Sequence, residues 1–194
     1  MPLQVVHYPH PTLRYKSKPV KRVDADLRKI VDEMFELMYE NRGIGLAANQ
    51  VDLPIRLFVV NLSGTKGEGE ELVFINPVIS RPKGNEEGEE GCLSLPQVYG
   101  PVKRPAEIQL DAYNLQGQLF SKRIDGMLAR VVQHETDHLD GIMFFDRMQP
   151  AALQEIAYDI EEFVIDYKSR KDVGGLPTDE EIAERRQQYE ETYC

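Results

Sequence analysis

The stretch "DGMLARVVQHETDHLDG", residues 125–141, decides how the chain is read. Met127, Leu128, Val131, Val132 and Leu139 recur at helical spacing between an N-cap candidate at Asp125 and a stop at Gly141. On that helix His134 and His138 stand four residues apart on one face, with Glu135 directly after the first. Two imidazoles so placed can hold one cation, and the intervening carboxylate can reach a water beside it, the H-E-x-x-H arrangement. The apolar residues at 127–132 mark a core helix, which weakens the alternative of two unrelated surface histidines.

Two histidines need a third protein ligand, and a catalytic ion keeps a further position open. Cys92, in "NEEGEEGCLSLP" (85–96), is the candidate. Glu86, Glu87, Glu89 and Glu90 precede it, and such neighbours oppose a second negative charge, so the thiol stays inert unless a cation sits against the sulfur. A divalent ion would deprotonate it outright. By composition alone the acidic runs at 68–71 and 86–90 read as solvated loops. The small-residue stretch "GIGLAANQ" (43–50) is ambiguous on spacing: a helix stop with tight packing, or backbone lining an extended ligand with Gln50 as amide donor. It is not G-x-G-x-x-G, so a dinucleotide site is not supported.

The remaining punctuation gives an α+β chain. Asp24 or Asp26 caps a helix with Leu27, Ile30, Val31, Met34 and Met38 on one face, ending at Gly43. Residues 56–62 and 71–80 read as strands, and 106–124 as a hairpin turning near Gly117. After Pro150 a helix with apolar residues at helical spacing is expected to dock on the body. "KDVGGLP" then breaks the pattern, and residues 178–194 open with a Thr178/Glu181 capping box but show almost no apolar stripe, the pattern of an exposed or partner-bound tail helix.

The chain has 194 residues and a net charge of −10, with 12 acidic and 5 basic side chains in residues 151–194. That length suits one domain, and the acidic balance gives no indication of a basic nucleic-acid face. No 18-residue apolar run occurs, the N-terminal stretch lacks a signal-peptide core, and two cysteines are too few for a disulfide framework. A cytoplasmic protein is expected, with Cys194 a free thiol.

Together these pieces resemble the peptide deformylase family, which removes N-formyl groups from nascent polypeptides. Its three motifs occur in order: G-apolar-G-apolar-A-A-x-Q at Gly43–Gln50, E-G-C-apolar-S at Glu90–Ser94, and H-E-x-D-H at His134–His138. Thr136 departs from the usual apolar residue there. "YPHPTLR" and "LDGIMFFDRM" extend the likeness over about residues 3–165, and "EGCLSLPQVYGPVKRP" resembles the chloroplast and related bacterial subgroup. The resemblance implies small antiparallel or mixed sheets around a central H-E-x-x-H helix, with a C-terminal helix. It implies Cys92, His134 and His138 as metal ligands, Glu135 as acid/base, and the Gln50 amide and Leu93 N–H as donors to the formyl oxygen. Ile44, Gly45, Gly91, Met127 and Val131 would bind substrate, whose backbone would pair beside residues 43–46. One divalent ion per chain is implied, Fe(II) foremost, with Zn(II) or Ni(II) as alternatives in purified protein. The implied partners are N-formyl-Met nascent peptides, with transient ribosome contact left open and neither nucleic acid nor membrane among them.

Two rival readings are less favoured by the residues. A zinc endopeptidase would take its third ligand downstream, where only acids such as Asp159, Glu161 and Glu162 are available, and a structural metal module would fill all four positions. The expected division is a catalytic domain at 1–170, followed by a linker and acidic tail helix at 171–194. A chain ending at Arg170 is then expected to keep its turnover on short peptides.

Overall fold

In a computed structural model, which describes residues 3–194, four helices pack around two antiparallel sheets. The first two positions of the expected 1–170 body lie outside the described residues. The larger sheet has strands β1 (Gly45–Ala47), β2 (Leu57–Val60), β3 (Leu72–Lys83), β6 (Glu107–Tyr113) and β7 (Leu119–Asp125), in the order β1-β2-β3-β6-β7. The smaller is a hairpin of β4 (Glu86–Cys92) and β5 (Leu95–Arg104). β1 is thus one edge of the larger sheet and β4 one edge of the smaller.

Helix α1 (Ala25–Glu40) begins where Asp24 accepts N–H bonds from Asp26 and Leu27, and it buries Leu27, Val31, Met34, Phe35 and Met38. It stops earlier than Gly43. Asn41 caps it and Arg42, at φ +58°, takes the left-handed conformation expected of the glycine. Helix α2 (Gly126–Leu139) crosses the large sheet, packing Ala129, Val131, Val132 and Leu139 against Phe58, Val60, Phe74, Ile108 and Leu110. Met127, in contrast, is mostly exposed. Helix α3 (Pro150–Asp172) lays Ala152, Leu153, Ile156, Ile160 and Phe163 against a third cluster around Leu95, Val98, Val102 and Phe144. It runs two residues past the expected boundary at 170.

Two expectations are overturned. Residues 86–90 are not a solvated loop but strand β4, paired in register with β5 from Glu86↔Arg104 to Glu90↔Gly100. Glutamates are poor strand formers, and the two-residue turn Leu93–Ser94 carries no Asn-Gly or Gly signal, so neither local cue was present. The second is the tail. Helix α4 (Asp179–Tyr193) has the expected capping box, yet it is docked: Ile182 is fully buried, and Tyr193 joins the core cluster of α1 and β2. Ile182, Tyr189 and Tyr193 lie at i, i+7 and i+11, a seam too narrow to register as an amphipathic face. Polar partners complete the contact, with Arg185 on Asp52 and Tyr15 Oη donating to Glu190.

Truncating Ile182 should therefore destabilise the whole domain. Ile182→Ala is expected to cost about 2 kcal/mol or more and to lower Tm by roughly 4 °C or more. Calorimetry measures it, and a change below about 0.5 kcal/mol would contradict docking of the tail.

Candidate functional site

A cleft of about 640 Å³ opens between the edge strands β1 and β4. One wall is the backbone of Gly43, Ile44 and Gly45; the other is Glu89, Gly91, Cys92 and Leu93, and α2 supplies the floor with Met127, Val131, His134 and Glu135. Every position expected to act on substrate lines this one space. The glycines permit the close approach: a Cβ on Gly45 would stand 2.5 Å from Glu135 Oε1, and one on Gly91 would stand 2.6 Å from the Tyr99 ring.

Cys92, His134 and His138 converge at the base of the cleft, their ligand atoms all within 4.8 Å of one another, the sole such cluster among the described residues. His138 Nε2 lies 3.2 Å from Cys92 Sγ and 3.1 Å from His134 Nε2. Donors around a tetrahedral ion with bonds of about 2.0 to 2.3 Å stand roughly 3.4 Å apart, so the set fits a divalent ion with little movement. Its chemistry agrees, since a thiolate and two imidazoles suit zinc and iron alike. The downstream acids Asp159, Glu161 and Glu162 are exposed on α3 and take no part.

The orientation of the first histidine has a visible cause. Glu90 Oε2 is 2.9 Å from His134 Nδ1, which turns Nε2 toward Cys92 and His138. Glu90 is itself buried and held by Arg104, whose Nε and Nη2 donate to its two oxygens at 2.6 and 2.9 Å, and by Arg130 Nη1 at 2.8 Å. Arg104 also donates to Asp137 Oδ2 at 2.8 Å, and Arg147 clasps the same carboxylate from Nε and Nη2. Burial alone would raise the Glu90 pKa, but donation from Arg104 and His134 outweighs it and holds it at about 2. Sequence reading missed Glu90, Arg104, Arg130 and Asp137 as supports. The available signal was the β4–β5 pairing, which brings Glu90 beside a strand that ends in Arg104.

Burial likewise works against charge on His134, and contacts with Cys92 and Glu90 reverse it, raising its pKa to about 10. His138 goes well below the usual histidine range, through burial and the neighbouring His134 charge. Without an ion His134 therefore favours the protonated form and His138 the neutral one, with positive charge in the place where a cation would bring its own. Glu135 is pushed up to about 7, chiefly by burial, and its Oε2 has no partner. It is poised to exchange a proton near neutral pH.

Gln50 and Ser94 complete the base. The Gln50 side chain is fixed by Ala47 N–H donating to Oε1 at 2.9 Å, and its Nε2 donates to Cys92 Sγ and Ser94 Oγ, both at 3.3 Å. Ser94 N–H also reaches the sulfur, at 3.4 Å.

The polypeptide deformylase family model matches residues 2–154. The chain is 52% identical over 193 residues to a peptide deformylase of Rhodopirellula baltica, covering 100% of this chain and 96% of that one, so this likeness includes the tail. It is 46% identical over 187 residues to the chloroplastic peptide deformylase 1B of Solanum lycopersicum, covering 96% of this chain and 66% of that protein. A crystal structure of plant peptide deformylase PDF1B is similar at a TM-score of 0.84 and 41% identity, over 92% of this chain and 96% of that one.

Glu90→Gln is expected to weaken metal affinity about 10- to 100-fold and to cost about 3 kcal/mol at pH 7, because a buried arginine loses its charged partner. The folded pKa of Glu90 lies below its unfolded value, so its contribution is complete above about pH 4.5 and is lost as pH falls toward about 2. The gap in Tm between metal-free parent and variant should narrow over that interval. A gap independent of pH would contradict the assignment of charge to Glu90.

Proposed function

The chain belongs to the polypeptide deformylase family, and we propose that Cys92, His134, His138, Glu135, Gln50 and Leu93 carry the family's reaction in it. That reaction is metal-dependent removal of the N-formyl group from the terminal methionine of nascent polypeptides, with release of formate. The observation that carries the assignment is the convergence of one thiol and two imidazoles beside a buried carboxylate with a free oxygen.

Cys92, His134 and His138 would hold the ion, which supplies Lewis acidity toward the formyl carbonyl and makes a nearby water more acidic. Glu135 takes the proton from the attacking water and later delivers it to the departing amine nitrogen. The Gln50 Nε2 and the Leu93 N–H donate to the formyl oxygen as it gains charge, where loss of one such donor costs about 3 to 4 kcal/mol. Gly45, Gln50, Cys92 and Leu93 surround this point closely, leaving room for the hydrogen of a formyl carbon and not for a methyl group.

The peptide is read as an extended strand between β1 and β4, whose outer edges flank the cleft. Ile44, Met127 and Val131 form an apolar lining for the methionine side chain, and the Gly45 and Gly91 backbones lie against the chain beyond it. We assign Fe(II) as the working ion on the strength of the family resemblance; the donor set would take Zn(II) or Ni(II) in purified protein. The groups proposed to act on substrate all fall within residues 1–170, which supports that stretch as the catalytic domain; residues 171–194 pack onto it through Ile182 and Tyr193, so a chain ending at Arg170 would lose part of its support and is no longer expected to be unaffected. Both cysteines are free and no helix among the described residues is long and apolar enough to cross a membrane, which supports action in the cytoplasm, with any ribosome contact transient.

Formylated, acetylated and unblocked methionyl peptides distinguish the readings. Formate should be released from the first, N-acetyl peptides should react at least about 100-fold more slowly, and internal peptide bonds should stay intact by mass spectrometry. Internal cleavage of all three without formate would favour an endopeptidase. Glu135→Gln should keep its metal by elemental analysis and lose turnover by about 100-fold or more, whereas Cys92→Ser should lose tight metal binding. Full metal occupancy in Cys92→Ser would contradict the ligand set.

A further inference from the structure

Residues 6–15 run as a strap behind the cleft. Val6 N–H donates to the Gln50 carbonyl at 2.8 Å and Tyr8 N–H to the Ser94 carbonyl at 2.9 Å, so one segment braces both residues that meet at the Gln50 amide. The 3-10 turn Ala48–Val51, which carries Gln50, is anchored on two further sides. Asn49 Nδ2 donates to the His138 carbonyl in the last turn of α2. Asp52 closes the turn at φ +61°, a conformation that non-glycine residues hold only where their surroundings impose it.

Those surroundings come from the strap and the tail. One Asp52 oxygen accepts the Thr12 hydroxyl, and the other lies 2.8 Å from Arg185 Nη2 of α4. The pair is shielded, with side-chain exposures of 16% for Asp52 and 31% for Arg185. The same helix grips the strap at Tyr15, whose hydroxyl donates to Glu190 at 2.5 Å and whose ring lies 4.5 Å from the Arg186 guanidinium. Helix α4 thus fastens the strap to the far end of the turn that aims Gln50, without lining the cleft.

We propose that Asp52 and Arg185 are positioning residues for deformylation: their ion pair fixes the turn Ala48–Val51 so that Gln50 Nε2 points at the formyl oxygen. The inference rests on the reading of Gln50 as that donor. A donor of this kind acts on charge that develops in the transition state and tolerates displacement of only a fraction of an ångström. Loosening one anchor of the turn should therefore reduce kcat and leave KM nearly unchanged. Peptide binding depends on the β1 and β4 edges, which the pair does not touch.

The test uses the full-length, metal-loaded protein with a formyl-Met peptide, well below each variant's Tm. Arg185→Met keeps the aliphatic stem and removes the charge; it is expected to lower kcat about tenfold, with KM within twofold and metal content unchanged. Arg185→Lys should recover most of the loss, and Asp52→Asn should repeat it. In a Gln50→Ala background, Arg185→Met should have no further effect. Hydrogen–deuterium exchange supplies a readout separate from activity: residues 48–52 should exchange faster in Arg185→Met, while β1 and α1 stay as protected as in the parent. An unchanged kcat in Arg185→Met, or an equal further loss in the Gln50→Ala background, would overturn the proposal. If Gln50→Ala alone left kcat intact, the reading of Gln50 would fail first and the positioning role with it.

Discussion

The Glu90 carboxylate is the contact on which the site depends. Burying a lone carboxylate is prohibitive, so the fold must surround it with donors, and it does so with a two-pronged Arg104, a third bond from Arg130 and a fourth from His134. Arg104 comes from the partner strand of the same hairpin, whereas Arg130 and His134 come from α2. The cluster therefore ties the β4–β5 hairpin to the helix at the level where Cys92 must meet the two histidines. Asp137 extends the tie by accepting from Arg104 and Arg147, which adds the segment after α2 to the same network. The binding face of His134 is thus chosen by a strand 44 residues earlier in the chain.

Much of this was legible in sequence, and the remainder was hidden for identifiable reasons. His134, Glu135 and His138 announce themselves because helical periodicity alone puts them on one face. Cys92 could be proposed only by asking what completes their set. Its setting was misread, since a run of four glutamates scores as solvated when taken residue by residue. In the fold Glu86, Glu87 and Glu89 are exposed strand positions, and Glu90, the next inward-facing one, is neutralised by arginines that are distant in sequence. Local composition cannot reveal a charge partner that only sheet pairing supplies. The tail failed for a related reason, because Ile182, Tyr189 and Tyr193 are too few to form a stripe, yet Ile182 is fully buried and the two tyrosines pack with the core cluster of α1 and β2.

The cleft itself is a consequence of leaving two sheet edges unpaired. β1 and β4 each bond a neighbour on one side only, and exposed edges usually invite aggregation. Here both edges face the cleft, β1 is three residues long, and β4 carries acidic side chains outward, an arrangement that suits the single extended peptide proposed above. Gly43, Gly45 and Gly91 keep the walls bare at the points where backbone must approach Leu93, Glu135 and Tyr99. In the proposed function, peptide recognition and metal chemistry are therefore set by the same few elements, since the strand that ends at Cys92 is also one wall of the cleft.

X-ray absorption spectroscopy of the zinc-loaded protein tests the central claim most directly, because it reads the ligand atoms themselves. The account expects one sulfur scatterer at about 2.3 Å and two imidazole nitrogens at about 2.0 to 2.1 Å, with the imidazole distances more scattered when Glu90 is replaced by glutamine. A coordination shell without sulfur, or one containing only oxygen and nitrogen from downstream acids, would contradict it.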